Sequence, residues 1–138
     1  MLQIRELSFK AIFWGVLVDT IGTLTVASAL ILAMATAGIP EAEITVRIRS
    51  FSGLLLMLIL GLGFTMIGGY VAGHTAGRRE ILHGAIVAIV GLVLGLFVRE
   101  PSLPLWYEVI SYAAVIPIGM AGGYIAREGG KKNVEDHP

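Results

Sequence analysis

The sequence predicts an all-α integral membrane protein, a bundle of four spanning helices, and three observations carry that expectation. Four long apolar stretches, 11–37, 51–73, 81–98 and 105–126, fill most of a 138-residue chain. Each is near or above the roughly 20 helical residues that cross a hydrocarbon core about 30 Å thick. Hydrophobic residues make up 56% of the chain and charged residues only 14%, too little charge to solvate an ordinary globular surface. The 18 glycines lie mostly inside the apolar stretches. That placement suits lipid, where helices gain little hydrophobic drive from one another and attract instead through close backbone approach.

The first helix, 11–37, is closed by Gly38-Ile39-Pro40. Ala33-Met34-Ala35 and Ala35-Thr36-Ala37 resemble signal-cleavage sites. The apolar region is, however, far longer than the roughly 7–15 residues of a signal core, and it carries Asp19, so a retained helix is expected. Gly38 to Ser50 is the one sizeable loop. In it Ile44, Val46 and Ile48 alternate with Thr45, Arg47 and Arg49. Two readings stand side by side: a short extended piece, or a Pro40-initiated extension of the second helix whose arginines reach the headgroups. The second helix, 51–73, and the third, 81–98, flank a basic turn with Arg78 and Arg79. A proline-rich turn, 99–104, precedes Trp106 and Tyr107, an interfacial anchor at the start of the fourth helix, 105–126. Pro117 is expected to kink that helix and free the Ala113 carbonyl. Residues 1–127 thus form one transmembrane domain, and 128–138 a disordered polar tail.

Charge between the stretches orients the bundle. Arg5, Lys10, Arg78, Arg79, Arg127, Lys131 and Lys132 put seven basic residues on one side, against Arg47, Arg49 and Arg99 on the other. The positive-inside rule then predicts a multi-pass protein of the cell's inner membrane with both termini cytoplasmic. The formal net charge is zero, so no bulk field points to nucleic acid, and the partner in view is the lipid bilayer. The absence of cysteine removes disulfides and thiolate chemistry. His74 and His83 flank the basic turn without a third metal ligand; they read as interfacial anchors, or as groups that bind a lipid phosphate or sense pH. Glu108 is expected in solvent at the outer interface. No metal, cofactor or nucleophile–base pair is signalled.

A repeat runs through the chain. Gly68-Gly69-Tyr70-Val71-Ala72 recurs as Gly122-Gly123-Tyr124-Ile125-Ala126, with Met66 aligned to Met120. More weakly, Ile12, Gly15, Val18 and Gly22 match Ile81, Gly84, Val87 and Gly91. The pattern suggests a duplicated helical hairpin. Glycines four residues apart form candidate packing stripes: Gly69, Gly73 and Gly77; Gly91 and Gly95; Gly119 and Gly123.

Asp19 is the one ionised group deep in a stretch. It lies eight residues past Ala11, about 12 Å into the membrane. An acid at such depth costs about 2.5–3.5 kcal/mol on insertion scales, so it should face protein or water. Gly15, Asp19, Gly22 and Thr23 share a helix face. Thr65 on the antiparallel second helix falls at a similar depth. Asp19, Thr23 and Thr65 are therefore the candidate intramembrane polar site, with the Pro117 region near the same level.

The run Gly68-Gly69-Tyr70-Val71-Ala72-Gly73, then Arg78 and His83-Gly84, resembles small uncharacterised four-helix bacterial and archaeal membrane proteins. Those share a glycine-glycine-aromatic-x-alanine-glycine helix end, a basic turn and a histidine-glycine opening. The resemblance implies a four-helix membrane fold and carries no activity. In layout the chain is also similar to the small multidrug-resistance exporters, which carry an acid in the first of four short helices; theirs is a glutamate, and their aromatic substrate box has no counterpart here. Two functions are in view. The first is a non-enzymatic membrane protein that packs as a homo-oligomer or as an accessory subunit of a membrane complex. The second is a small proton- or cation-coupled transporter or channel using Asp19.

Overall fold

The computed structural model describes residues 7–98 and 102–135. Within them the chain is all-helical: α1 (Phe9–Thr36), α2 (Glu41–Arg49), α3 (Phe51–Ala76), α4 (Glu80–Phe97) and α5 (Leu105–Glu135). All but α2 are long and apolar enough to cross a membrane, which gives a multi-pass four-helix bundle. The end holding the start of α1, the α3–α4 turn and the end of α5 is called proximal below; α2 and the α4–α5 connection mark the distal end. Arg5, the turn residues Arg99, Glu100 and Pro101, and the last tail residues lie outside the described part.

Local chemistry explains where each helix starts and stops. Ser8 caps α1 by accepting the Ala11 N–H at 3.3 Å. The far end of α1 closes in a Schellman arrangement: Gly38 takes φ +80°, its N–H donates to Ala35, and the Ile39 N–H donates to Met34. Pro40 then opens α2, which has Glu41 and Glu43 in its first turn and Arg47 and Arg49 in its last, matching the helix dipole. A Glu43–Arg47 ion pair at 2.7 Å adds one more turn-to-turn contact. Of the two readings of this segment, the extended one is overturned. The Ile/Val alternation had no neighbouring strand to pair with, and a helix satisfies the backbone within itself. Nor is α2 continuous with α3, because Ser50 breaks the path at ψ 159°. Its hydroxyl donates to the Arg47 carbonyl at 2.6 Å and accepts from the Gly53 N–H at 3.2 Å, so one residue closes α2 and opens α3.

The helices pack tightly in the proximal half. A Cβ on Gly15 would stand 2.6 Å from the Gly68 carbonyl oxygen and 2.7 Å from Val87, so α1, α3 and α4 meet there. A Cβ on Gly69 or on Gly84 would enter the Gly119 carbonyl, and one on Gly122 would enter that of Met66. Gly73 faces Ala126 and Glu80 at 3.1 Å, and a Cβ on Gly123 would strike the Glu80 carbonyl. Because α3 touches every other helix while α1 and α5 do not touch among the described residues, α3 and α4 form the middle of the bundle. Distally the helices separate. No residue of α4 beyond Ala88 is buried; burial there falls to Ile44 of α2, Leu54 and Leu58 of α3 and Glu108 of α5, and the Phe51 and Trp106 rings lie 5.1 Å apart across the starts of α3 and α5.

Four expectations change. Gly77 and Gly95 have nothing within 4 Å of a built Cβ, so neither packs against another helix. Gly77 instead ends α3 in the left-handed region at φ +62°. The tail is helical as far as Glu135. Once α5 is under way, Glu128, Lys131 and Lys132 continue it readily, and two exposed glycines cost only about 1 kcal/mol each. Pro117 lies inside α5, where it was expected, with its side chain exposed. Glu108 is buried, not solvated, in the first turn of α5, where an acid is favoured by the helix dipole.

His83 is the fourth. It is fully buried. The Ser8 backbone N–H donates to its Nε2 at 3.0 Å, and its Nδ1 lies 3.1 Å from the Arg79 carbonyl. An Nε2 that accepts carries no proton, so Nδ1 must be the donor to Arg79. The residue pins the start of α1 to α4, well inside the protein, and is not an interfacial anchor. His74, by contrast, is exposed and stacks on Tyr70 with ring centroids 5.8 Å apart.

Candidate functional site

Asp19 and Thr65 come together because α1 and α3 are antiparallel and cross at Gly15 and Gly68. A Cβ on Gly68 would stand 2.9 Å from the Asp19 Cβ, so only glycine there lets the carboxylate-bearing turn approach. The Thr65 hydroxyl donates to Asp19 Oδ1 at 3.1 Å and lies 3.2 Å from the Gly61 carbonyl. Asp19 is 7% exposed and Thr65 5%. The second carboxylate oxygen faces α4: a Cβ on Gly91 would stand 2.9 Å from Asp19 Oδ2. Gly91 therefore makes room for the carboxylate, a different task from the packing stripe it was assigned to with Gly95.

The geometry accommodates two proton placements without moving a heavy atom. With an ionised Asp19, the single Thr65 proton points to the carboxylate. With a neutral Asp19, the acid proton points to Thr65 Oγ1 and the threonine proton turns to the Gly61 carbonyl. Both oxygens of the pair are satisfied either way, and a hydroxyl that bonds back to the carbonyl one turn earlier is a common way for threonine to sit in an apolar helix.

The pair lies at one limit of a crevice of about 610 Å³. From Asp19 and Thr65 it extends distally between the separated helices to Phe97 and Val98, the end of α4. Most of its wall is aliphatic. Thr20 and Thr23 of α1 and Tyr107, Ser111 and Tyr112 of α5 add hydroxyls to it. Thr23 is thus on the crevice wall, one turn beyond Asp19 on the same helix face, while Pro117 is not part of the lining. Of the α5 hydroxyls, only Tyr107 stands out in the sequence, as an interfacial anchor, and Ser111 is of a type that satisfies itself against the helix backbone. It does donate to the Tyr107 carbonyl at 2.6 Å, yet it still lines the cavity. The available signal was spacing: Tyr107 and Ser111 are one turn apart on one face.

The repeat gives this site a counterpart. The alignment that sets Gly15 on Gly84 sets Asp19 on Ala88, and the one that sets Gly68 on Gly122 sets Thr65 on Gly119. Ala88 and Gly119 meet just as Asp19 and Thr65 do, with 2.6 Å between the Ala88 Cβ and a Cβ built on Gly119. One hairpin holds a polar pair where the other holds two of the smallest side chains. Among the described residues no three histidines, cysteines or acids converge on a metal site. No known protein family, curated protein or solved structure matches the chain.

Proposed function

We propose that the protein is a small, non-enzymatic, proton-coupled membrane transporter or channel in which Asp19 binds the proton. The observation that carries this reading is the Asp19–Thr65 pair at 3.1 Å at the inner limit of the crevice. A buried acid that can be satisfied with or without its proton, and that borders a cavity, is suited to taking up and releasing one. The donor set favours a proton over a metal cation. Asp19, Thr65 and the Gly61 carbonyl supply few oxygens, whereas Ca²⁺ takes about 6–8. The test is reconstitution into liposomes under a pH gradient with an internal pH dye. Proton flux that depends on Asp19 is expected, and its absence from the wild type would overturn the reading.

The charge distribution supports a cytoplasmic placement of the proximal end, so that the crevice leads from the external side. The chain has no cysteine, so single cysteines report topology cleanly. In intact cells a membrane-impermeant maleimide is expected to label Ser102→Cys and to leave Gly130→Cys unlabelled until the cells are opened. The reverse pattern would invert the bundle.

A second reading, self-association, is favoured by the distal half of α1. No residue of α1 beyond Asp19 is buried, and Leu24, Ile31 and Leu32 are exposed. A second copy packed along this face would shield α1 from lipid on the crevice side. The protein-only mass in mild detergent is expected to be that of a dimer or larger, and a strict monomer would remove this reading without touching the first.

A further inference from the structure

A second groove lies between the proximal ends of α4 and α5 and has a volume of about 540 Å³. Two arginines from different parts of the chain line it: Arg79, which directly precedes α4, and Arg127 of α5. Leu82, Ala85 and Met120 supply apolar lining. Both arginines sit where their apolar stretches end, since that of α4 begins at Ile81 and that of α5 closes at Ala126. This is the level at which lipid headgroups meet hydrocarbon. Glu80 also borders the groove, but a Cβ on Gly73 of α3 would stand 3.1 Å from its Cβ, so the base of that acid is turned toward α3.

We infer that this groove is a binding site for one anionic phospholipid, its phosphate held by Arg79 and Arg127 and an acyl chain laid along Leu82, Ala85 and Met120. Charge complementarity decides the occupant. Guanidinium groups bind phosphate oxygens through paired N–H donors, and basic pockets between spanning helices recognise acidic headgroups. A soluble phosphate would have no use for the apolar lining, and a zwitterionic lipid would present its own cation to the arginines. The inference is independent of proton coupling, since neither arginine borders the crevice.

The experiment uses the full chain, purified in mild detergent and depleted of lipid. Binding is followed by native mass spectrometry and by thermal melting, with phosphatidylglycerol, phosphatidylcholine of the same chains, and glycerol 3-phosphate as separate probes. One phosphatidylglycerol is expected to be retained per chain and to raise the melting temperature, at least tenfold more effectively than phosphatidylcholine. Glycerol 3-phosphate should have no effect. Arg79→Gln/Arg127→Gln should weaken phosphatidylglycerol binding at least tenfold, while Lys10→Gln, a basic residue at the same end but off the groove, should leave it unchanged. Arg127→Gln alone, at an exposed position, serves if the double variant does not fold, and should weaken binding severalfold. Equal binding of the two lipids, or unchanged phosphatidylglycerol binding in the arginine variants, would overturn the site. Glycerol 3-phosphate binding as tightly as the lipid would mean that a free phosphate, not a phospholipid, is the ligand, and would overturn it too.

Discussion

Replacing Gly69 by leucine is expected to stop the bundle from closing. A single added Cβ there already enters the Gly119 carbonyl, and a carbonyl is backbone, so no rotamer change can move it aside. Overpacking a core by side-chain atoms costs about 1–3 kcal/mol, and a clash between two main chains costs more. The α3–α5 crossing would have to separate, taking with it the neighbouring contacts of Gly73 with Gly123 and of Gly84 with Gly119. A loss above about 3 kcal/mol corresponds to a fall in melting temperature on the order of 10 °C for a domain of this size, or to protein that cannot be recovered folded from detergent. Gly63→Ala is the comparison. It lies on the same helix with nothing within 4 Å of its Cβ, and it should be neutral or slightly stabilising, because alanine is the better helix former by about 1 kcal/mol. If Gly69→Leu melted with the wild type, the α3–α5 crossing would not exist as described.

Asp19→Asn is expected to abolish proton flux, by tenfold or more, while changing stability by only about 1 kcal/mol. The asparagine amide is isosteric with the carboxyl and keeps an oxygen for the Thr65 hydroxyl, so the fold loses little. It cannot take up and release a proton, so coupling is lost. Asp19→Leu should lose flux equally, and its stability cost is bounded because Thr65 still has the Gly61 carbonyl at 3.2 Å. Intramembrane hydrogen bonds are worth about 0.6 kcal/mol on average in the systems where they have been separated out. The combination of a small stability effect and a large flux effect is what separates a proton-binding acid from a structural one. Flux retained in Asp19→Asn, or a melting temperature that collapses with flux intact, would assign Asp19 to packing.

The spanning helices could be read from hydropathy alone because lipid leaves the backbone no alternative to helix. Counting residues inward from each helix end was enough to bring Asp19 and Thr65 to one depth, since an antiparallel pair has a fixed rise of about 1.5 Å per residue. What failed to be legible needed a third partner. A glycine stripe says that a smooth surface exists, not what lies against it. Hence Gly91 turned out to face the Asp19 carboxylate, Gly95 to border empty space, and Gly77 to end a helix. The close main-chain contact of α1 with α3 runs through Gly15 and Gly68, which no stripe contained. His83 was placed by its distance from the basic turn, which carries no information about Ser8, 75 residues earlier in the chain. The α2 segment stayed open between two readings because six alternating residues, Ile44 to Arg49, fit either period once a turn precedes them.

The Asp19–Thr65 bond also fixes an order of events during synthesis. The two residues are 46 positions apart. At about 5–20 residues per second, the threonine is made roughly 2–9 s after the aspartate. Gly91, which shelters the other carboxylate oxygen, comes later still. During that interval α1 carries an acid without its eventual partner, and the helices it will rest on, α3 and α4, do not yet exist. The first span to emerge thus waits for two later ones, and it must stay near water, headgroups or the insertion machinery until the chain behind it arrives.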